Sequence, residues 1–133
     1  MFKDPVNPIE PEIRTWAGAQ DTTEPMEDWD LILANDARDD LYLELAARAE
    51  LPRSRYFLHV LYLIVGDEVR FAERPHEPSA RLQHLIRAAD DIASPEIQRW
   101  LQRTKNLVAE PESFSYSAWC GGDLAYERQP NGR

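Results

Sequence analysis

Three carboxylates, Asp36, Asp40 and Glu44, recur every four residues, with Asp39 beside them. On a helix that spacing sets all three on one face. Such an oxygen-rich row can hold Mg²⁺ or Ca²⁺. A second reading needs no ion: acidic side chains stabilise the first turn of a helix, and Glu44 has Arg48 four residues on as an ion-pair partner. We adopt the second reading and assign no metal and no cofactor. Asp36, Asp40 and Glu44 stay as candidate contacts for a binding partner.

A second row runs Arg55, His59, Tyr62, Gly66, Arg70, Glu73, in steps of four, three, four, four and three. It interrupts a stretch, Tyr56 to Val65, in which every residue except His59 is apolar or aromatic. His59 is its one group that ordinarily titrates near neutral pH. The row either lines a groove, with Gly66 admitting a close neighbour, or forms the one hydrated or hydrogen-bonded edge of a buried helix. The spacing favours the second, and Arg55, His59 and Tyr62 remain the best candidates for a ligand face.

Other chemistry-bearing residues make no pattern. His59, His76 and His84 lack the spacing of zinc ligands. Cys120 has no second cysteine to pair with and no nearby base that the sequence can place. There is no Walker, dinucleotide-binding or nucleophile-elbow motif, and only five glycines are available for phosphate-cradling loops. No catalytic residue is assigned.

The elements that must carry these rows are helices. Periodic apolar residues predict four, near 36–50, 53–73, 79–92 and 95–109. Asn35 or Asp36 would cap the first, with Leu41, Leu45 and Ala49 on its inner face. The second is apolar nearly all round and is read as the central helix. Leu82, Leu85, Ile86 and Ala89 stripe the third. Ser94-Pro95 is a strong start signal for the fourth, which carries Ile97, Trp100, Leu101, Thr104 and Val108. Phe57, Leu58, Leu61, Ile64 and Val65 are the expected core, with Leu45, Leu85, Ile86, Trp100 and Leu101 around them. Short loops predict antiparallel neighbours, hence an all-α fold: a four-helix antiparallel bundle or two stacked helical hairpins. A faint echo between the two hairpins, 42 to 43 residues apart, is what any pair of helical hairpins would give.

Residues 1–30 read differently. Pro5, Pro8, Pro11 and Pro25 each remove a backbone donor, and acidic residues outnumber basic ones eight to two. This is expected to be an irregular acidic arm of little weight in the stability, although Ile9, Ile13 and Trp16 could dock. The helical domain is expected over 31–126, with a frayed tail at 127–133.

The net charge of −9 is concentrated in that arm, which holds −6 of it. Negative surfaces repel nucleic acid and steer toward basic partners. One cysteine fits a reducing compartment. No leader-like apolar stretch opens the chain and none is long enough to span a bilayer, so a cytoplasmic protein without membrane partners is expected. Arginine outnumbers lysine 13 to 2, which suggests a GC-rich bacterial genome. The expectation is a small acidic non-enzymatic binder of another protein with a basic surface, of inhibitor, immunity, antitoxin or adaptor type. The alternative is a small helical enzyme or ligand-binding protein using the Arg55/His59/Tyr62 face. Oligomeric state is not encoded in any feature of the sequence.

Overall fold

The structure is a computed structural model and describes residues 2–20, 23–74, 76–115 and 118–119. Among these residues it is all helical, with six α-helices: α1 Glu10–Ala17, α2 Trp29–Ala34, α3 Asp39–Ala47, α4 Ser54–Arg70, α5 Ala80–Asp90 and α6 Pro95–Ala109. A 3-10 turn follows at Pro111–Ser113. No helix of the described residues is long and apolar enough to cross a membrane.

α4 is the axis. At about 1.5 Å per residue its 17 residues run about 25 Å. α2, α3 and α6 pack on it, α5 pairs with α6, and α3 also meets α5 and α6. The apolar run of the sequence is the reason: Phe57, Leu58, Val60, Leu61, Leu63, Ile64 and Val65 are all buried. Of the residues expected around them, Leu45, Leu85, Trp100 and Leu101 are buried and Ile86 is half-buried.

The start of α6 matches its sequence signal. Ser94 caps it by accepting from the Ile97 N–H at 3.3 Å, and Ser79 does the same for α5 through Leu82. α3 differs from expectation. It begins at Asp39, not Asp36, because Ala37 takes a left-handed φ of 58° that a helix cannot contain. Asp36 therefore lies in the turn before α3. Pro52 likewise lies outside α4, in the turn that ends at Arg53.

The N-terminal segment corrects the sequence reading most. An irregular arm was expected over 1–30, yet residues 10–17 are helical and Ile13, Trp16 and Ala17 are buried. Pro11 sits in the first turn of α1, where its missing N–H is no loss. Trp16 packs edge-on against Trp29 and Tyr56, with ring centroids 4.9 Å apart in both cases. The Arg53 guanidinium lies 4.7 Å over the Trp16 ring, and the Arg53 N–H donates to the Ala17 carbonyl. Trp29 is fully buried at the head of α2, and its indole N–H donates to the Pro5 carbonyl at 3.0 Å. Residues 2–20 and 23–34 are thus a strap whose aromatics complete the core. Cys120, Leu124, the glycines at 121 and 122 and the expected frayed tail at 127–133 lie outside the described residues.

Candidate functional site

The acidic row is consumed by the fold. Asp36 pairs locally with Arg38 Nε at 2.6 Å. Asp40 meets His84 Nε2 of α5 at 2.7 Å. Glu44 takes both terminal nitrogens of Arg14 from α1, at 2.6 and 2.8 Å. That hydrogen bonding holds the Glu44 carboxyl below its usual range. Only Asp40 and Glu44 share a face of α3, which ties α1 on one side and α5 on the other. Among the described residues no group of three or more His, Cys, Asp or Glu side chains could hold a metal ion.

The residue that the sequence placed only beside this row, Asp39, makes a two-pronged pair of its own. It is buried and accepts two bonds from Arg81 of α5, at 2.7 and 2.8 Å, while Arg81 also donates to the Ala34 carbonyl that ends α2. A bidentate guanidinium–carboxylate pair fixes orientation as well as distance. This one joins α2, α3 and α5. The signal for it was an Asp in a first turn facing a lone Arg at the head of another amphipathic helix, a pairing that spacing alone does not reveal.

The middle of the α4 row, His59, Tyr62 and Gly66, is buried, whereas Arg70 and Glu73 are exposed. His59 is 2% exposed and its Nε2 lies 3.0 Å from Asp30 Oδ2 of α2. Burial by itself would push the Asp30 carboxyl up. The His59 hydrogen bond and charge and the Leu31 N–H at 2.9 Å outweigh it, so the pKa lies below the ordinary aspartate value. One turn earlier, Tyr56 donates to Glu24, and burial followed by that bond raises its phenol strongly. Tyr62 is also buried; its hydroxyl accepts from Arg103 of α6 at 3.2 Å. Arg55 is half-buried on the same helix. A histidine–carboxylate pair can orient a general base, but a substrate would have to reach a ring that α2 covers. Arg55, His59 and Tyr62 therefore do not line an open groove.

A small open cleft lies between the end of α4, the start of α5 and the 3-10 turn, lined by residues including Val69, Ala72, His76, Leu82 and Pro111. Its empty volume is about 230 Å³, open solvent included, below the roughly 300–1,000 Å³ of small-molecule sites.

The largest exposed apolar side chains are Phe71, at 71%, and Val6, Ile9 and Leu31, at 53%, 50% and 42%. The last three belong to the strap and to α2. The Pro5 carbonyl is bound by Trp29 and the Pro8 carbonyl by Arg38 Nη2 at 3.0 Å, so the 5–8 segment lies alongside α2 from its first residue to the turn beyond its end. Exposed carboxylates of Asp4, Glu10, Glu27 and Asp28 occupy the same strap and the entry to α2. Sequence reasoning found the acid here, but it read Ile9 as a residue that could dock inward, where it is 50% exposed. No family model, no curated protein and no solved structure matches this chain.

Proposed function

We propose that this chain is a small acidic binding protein, without catalysis of its own, whose partner is another protein with a basic surface. Its scaffold, on this reading, is two helical hairpins, α3–α4 and α5–α6, stacked through α4 and α6, with the N-terminal strap as the working face. The observation that carries the reading is the coincidence of Val6, Ile9 and Leu31, exposed apolar residues, with the acidic strap. A protein interface combines an apolar centre with a charged rim, and acidic rims set association rate and partner choice. Nucleic acid is not the expected partner, since the strap would repel its phosphates. An enzyme or ligand binder built on Arg55, His59 and Tyr62 is the weaker reading because two of the three are buried under the chain's own elements.

The acidic row Asp36, Asp40 and Glu44 is a poorer contact surface than its density of charge suggested, since Arg38 and Arg14 already pair with Asp36 and Glu44 and the His84 imidazole occupies Asp40. Glu27 and Asp28 are the better test. With a partner captured from the native host, Glu27→Gln/Asp28→Asn should slow association at low salt and leave dissociation nearly unchanged, because exposed charge acts over a Debye length of roughly 8 Å at physiological salt. Ile9→Ser or Leu31→Ser should instead speed dissociation, the usual site of affinity changes. A partner indifferent to both pairs of substitutions binds elsewhere, and the strap is then only structural.

A further inference from the structure

We propose that the face of α4 floored by Gly66 is a receptor site for a tryptophan-bearing peptide segment, kept closed in this chain by its own C-terminal aromatics. This goes beyond the reading above and concerns the opposite half of α4. Gly66 is the starting point. A Cβ built on it would come within 3.0 Å of Trp119 Cδ1 and 3.2 Å of Phe114 Cε1, tighter than most side-chain contacts, so the rings would have to give by a few tenths of an ångström. Glycine weakens a helix interior relative to alanine, so a glycine in the middle of the central helix is explained by the rings seated on it.

The contacts around those rings are of the kind that recognise a peptide. The Trp119 indole N–H donates to the Tyr62 carbonyl at 2.7 Å, in a buried position. The Tyr62 ring meets the indole edge-on, centroids 5.0 Å apart. Arg103 of α6 covers the other side, its guanidinium 5.4 Å from the Trp119 ring, and its Nη2 donates to the Ala118 carbonyl at 3.3 Å. The site thus reads an indole by shape, by its one donor and by its π face, and reads the neighbouring backbone by a hydrogen bond. Aromatic anchors with arginine partners are the composition of binding hot spots. The occupant it fits is a segment with Phe and Trp five residues apart, the spacing of Phe114 and Trp119. A partner carrying such a segment would compete with this chain's own copy, which is tethered just beyond α6 by a 3-10 turn.

The probe is a labelled peptide of this chain's residues 110–119, titrated by fluorescence anisotropy into full-length protein. Phe114→Ala/Trp119→Ala should keep its helical circular dichroism and bind the peptide. The unsubstituted chain should bind it at least about tenfold more weakly, because a short tether gives the internal copy millimolar effective concentration. Gly66→Ala should retain a cooperative helical transition, raise the accessibility of one of the four tryptophans to acrylamide, and weaken peptide binding by the double variant. Failure of the folded double variant to bind the peptide would overturn the proposal. So would loss of the helical transition in either variant, because the aromatics would then be part of the core and not a removable plug.

Discussion

The strap that ends in α2 and the α5–α6 hairpin do the same work by opposite means. Each sends fully buried tryptophan into the core, Trp16 and Trp29 from the strap and Trp100 from α6. The hairpin helices are locally specified: both begin at a serine whose hydroxyl caps the first turn, and both carry a continuous apolar stripe. The strap helices have no side-chain cap, α2 is only six residues long, and α2 is entered through Asp28 at a left-handed φ of 60°. Helices this short are not stable alone. What holds them is tertiary: indole N–H groups on the Pro5 and Thr23 carbonyls, Arg14 on Glu44, and His59 on Asp30. Local signals and core membership are therefore separate properties of a segment.

If the two regions are equal parts of one core, emptying either should cost the same. Trp29→Ala and Trp100→Ala should each lower the unfolding free energy by about 3–5 kcal/mol, measured by urea denaturation. A loss below about 1 kcal/mol for Trp29→Ala, with Trp100→Ala fully destabilising, would return the strap to the accessory role that its prolines suggested.

That comparison also explains what the sequence could disclose. The hairpin was legible almost to the residue, α6 over Pro95–Ala109 as expected, because capping and periodicity are written in neighbouring residues. The central burial of Phe57 to Val65 was legible because no polar face was left for solvent. The strap was misread because four prolines outweighed Ile13, Trp16 and Trp29, and the ring partners of the two tryptophans lie 27 to 41 residues on in α4 and were invisible as pairs. The candidate rows were legible only in part, for the same reason. Fourfold spacing put Asp40 and Glu44 on one face of α3 and His59 and Tyr62 on α4, but it could not say that Arg14, His84, Asp30 and Arg103 would meet them. Asp36 was lost to a left-handed alanine that nothing in its own identity announces.

A smaller effect separates the pair that anchors α2 from the apolar packing around it. Asp30 has its pKa lowered in the folded state, so its contribution is present above the unfolded value, near 3.9, and is lost as pH falls through the folded one. Hydrogen bonds to charged groups contribute about 1.5–3 kcal/mol, and Asp30 belongs at the lower end because its side chain is 21% exposed. Asp30→Asn should therefore lower stability at pH 5–6 and flatten its decline toward pH 2 relative to the unsubstituted chain. Parallel pH profiles would show that the Asp30–His59 pair adds nothing to the hold on α2.

The smallest effect tests whether local specification matters once a helix is packed. Ser94 accepts from one of the backbone N–H groups that the first turn of α6 cannot pair internally, Pro95 itself having none. Ser94→Ala should cost about 1 kcal/mol, and Ser94→Gly only a few tenths, since glycine keeps the cap conformation and lets water reach the freed N–H. α1 has the hydrophobic Ile9 at the same position, with no side-chain bond to lose. Ile9→Ser places a hydroxyl beside the Glu12 N–H, which already donates to the residue-9 carbonyl at 3.1 Å, so it should hold stability within about 0.5 kcal/mol while removing exposed apolar surface from the strap. Ser94→Ala should therefore lower the thermal midpoint and Ile9→Ser leave it nearly unchanged. A fall in both would mean that Ile9 already serves α1 by packing, and that it could not then be spared for a partner.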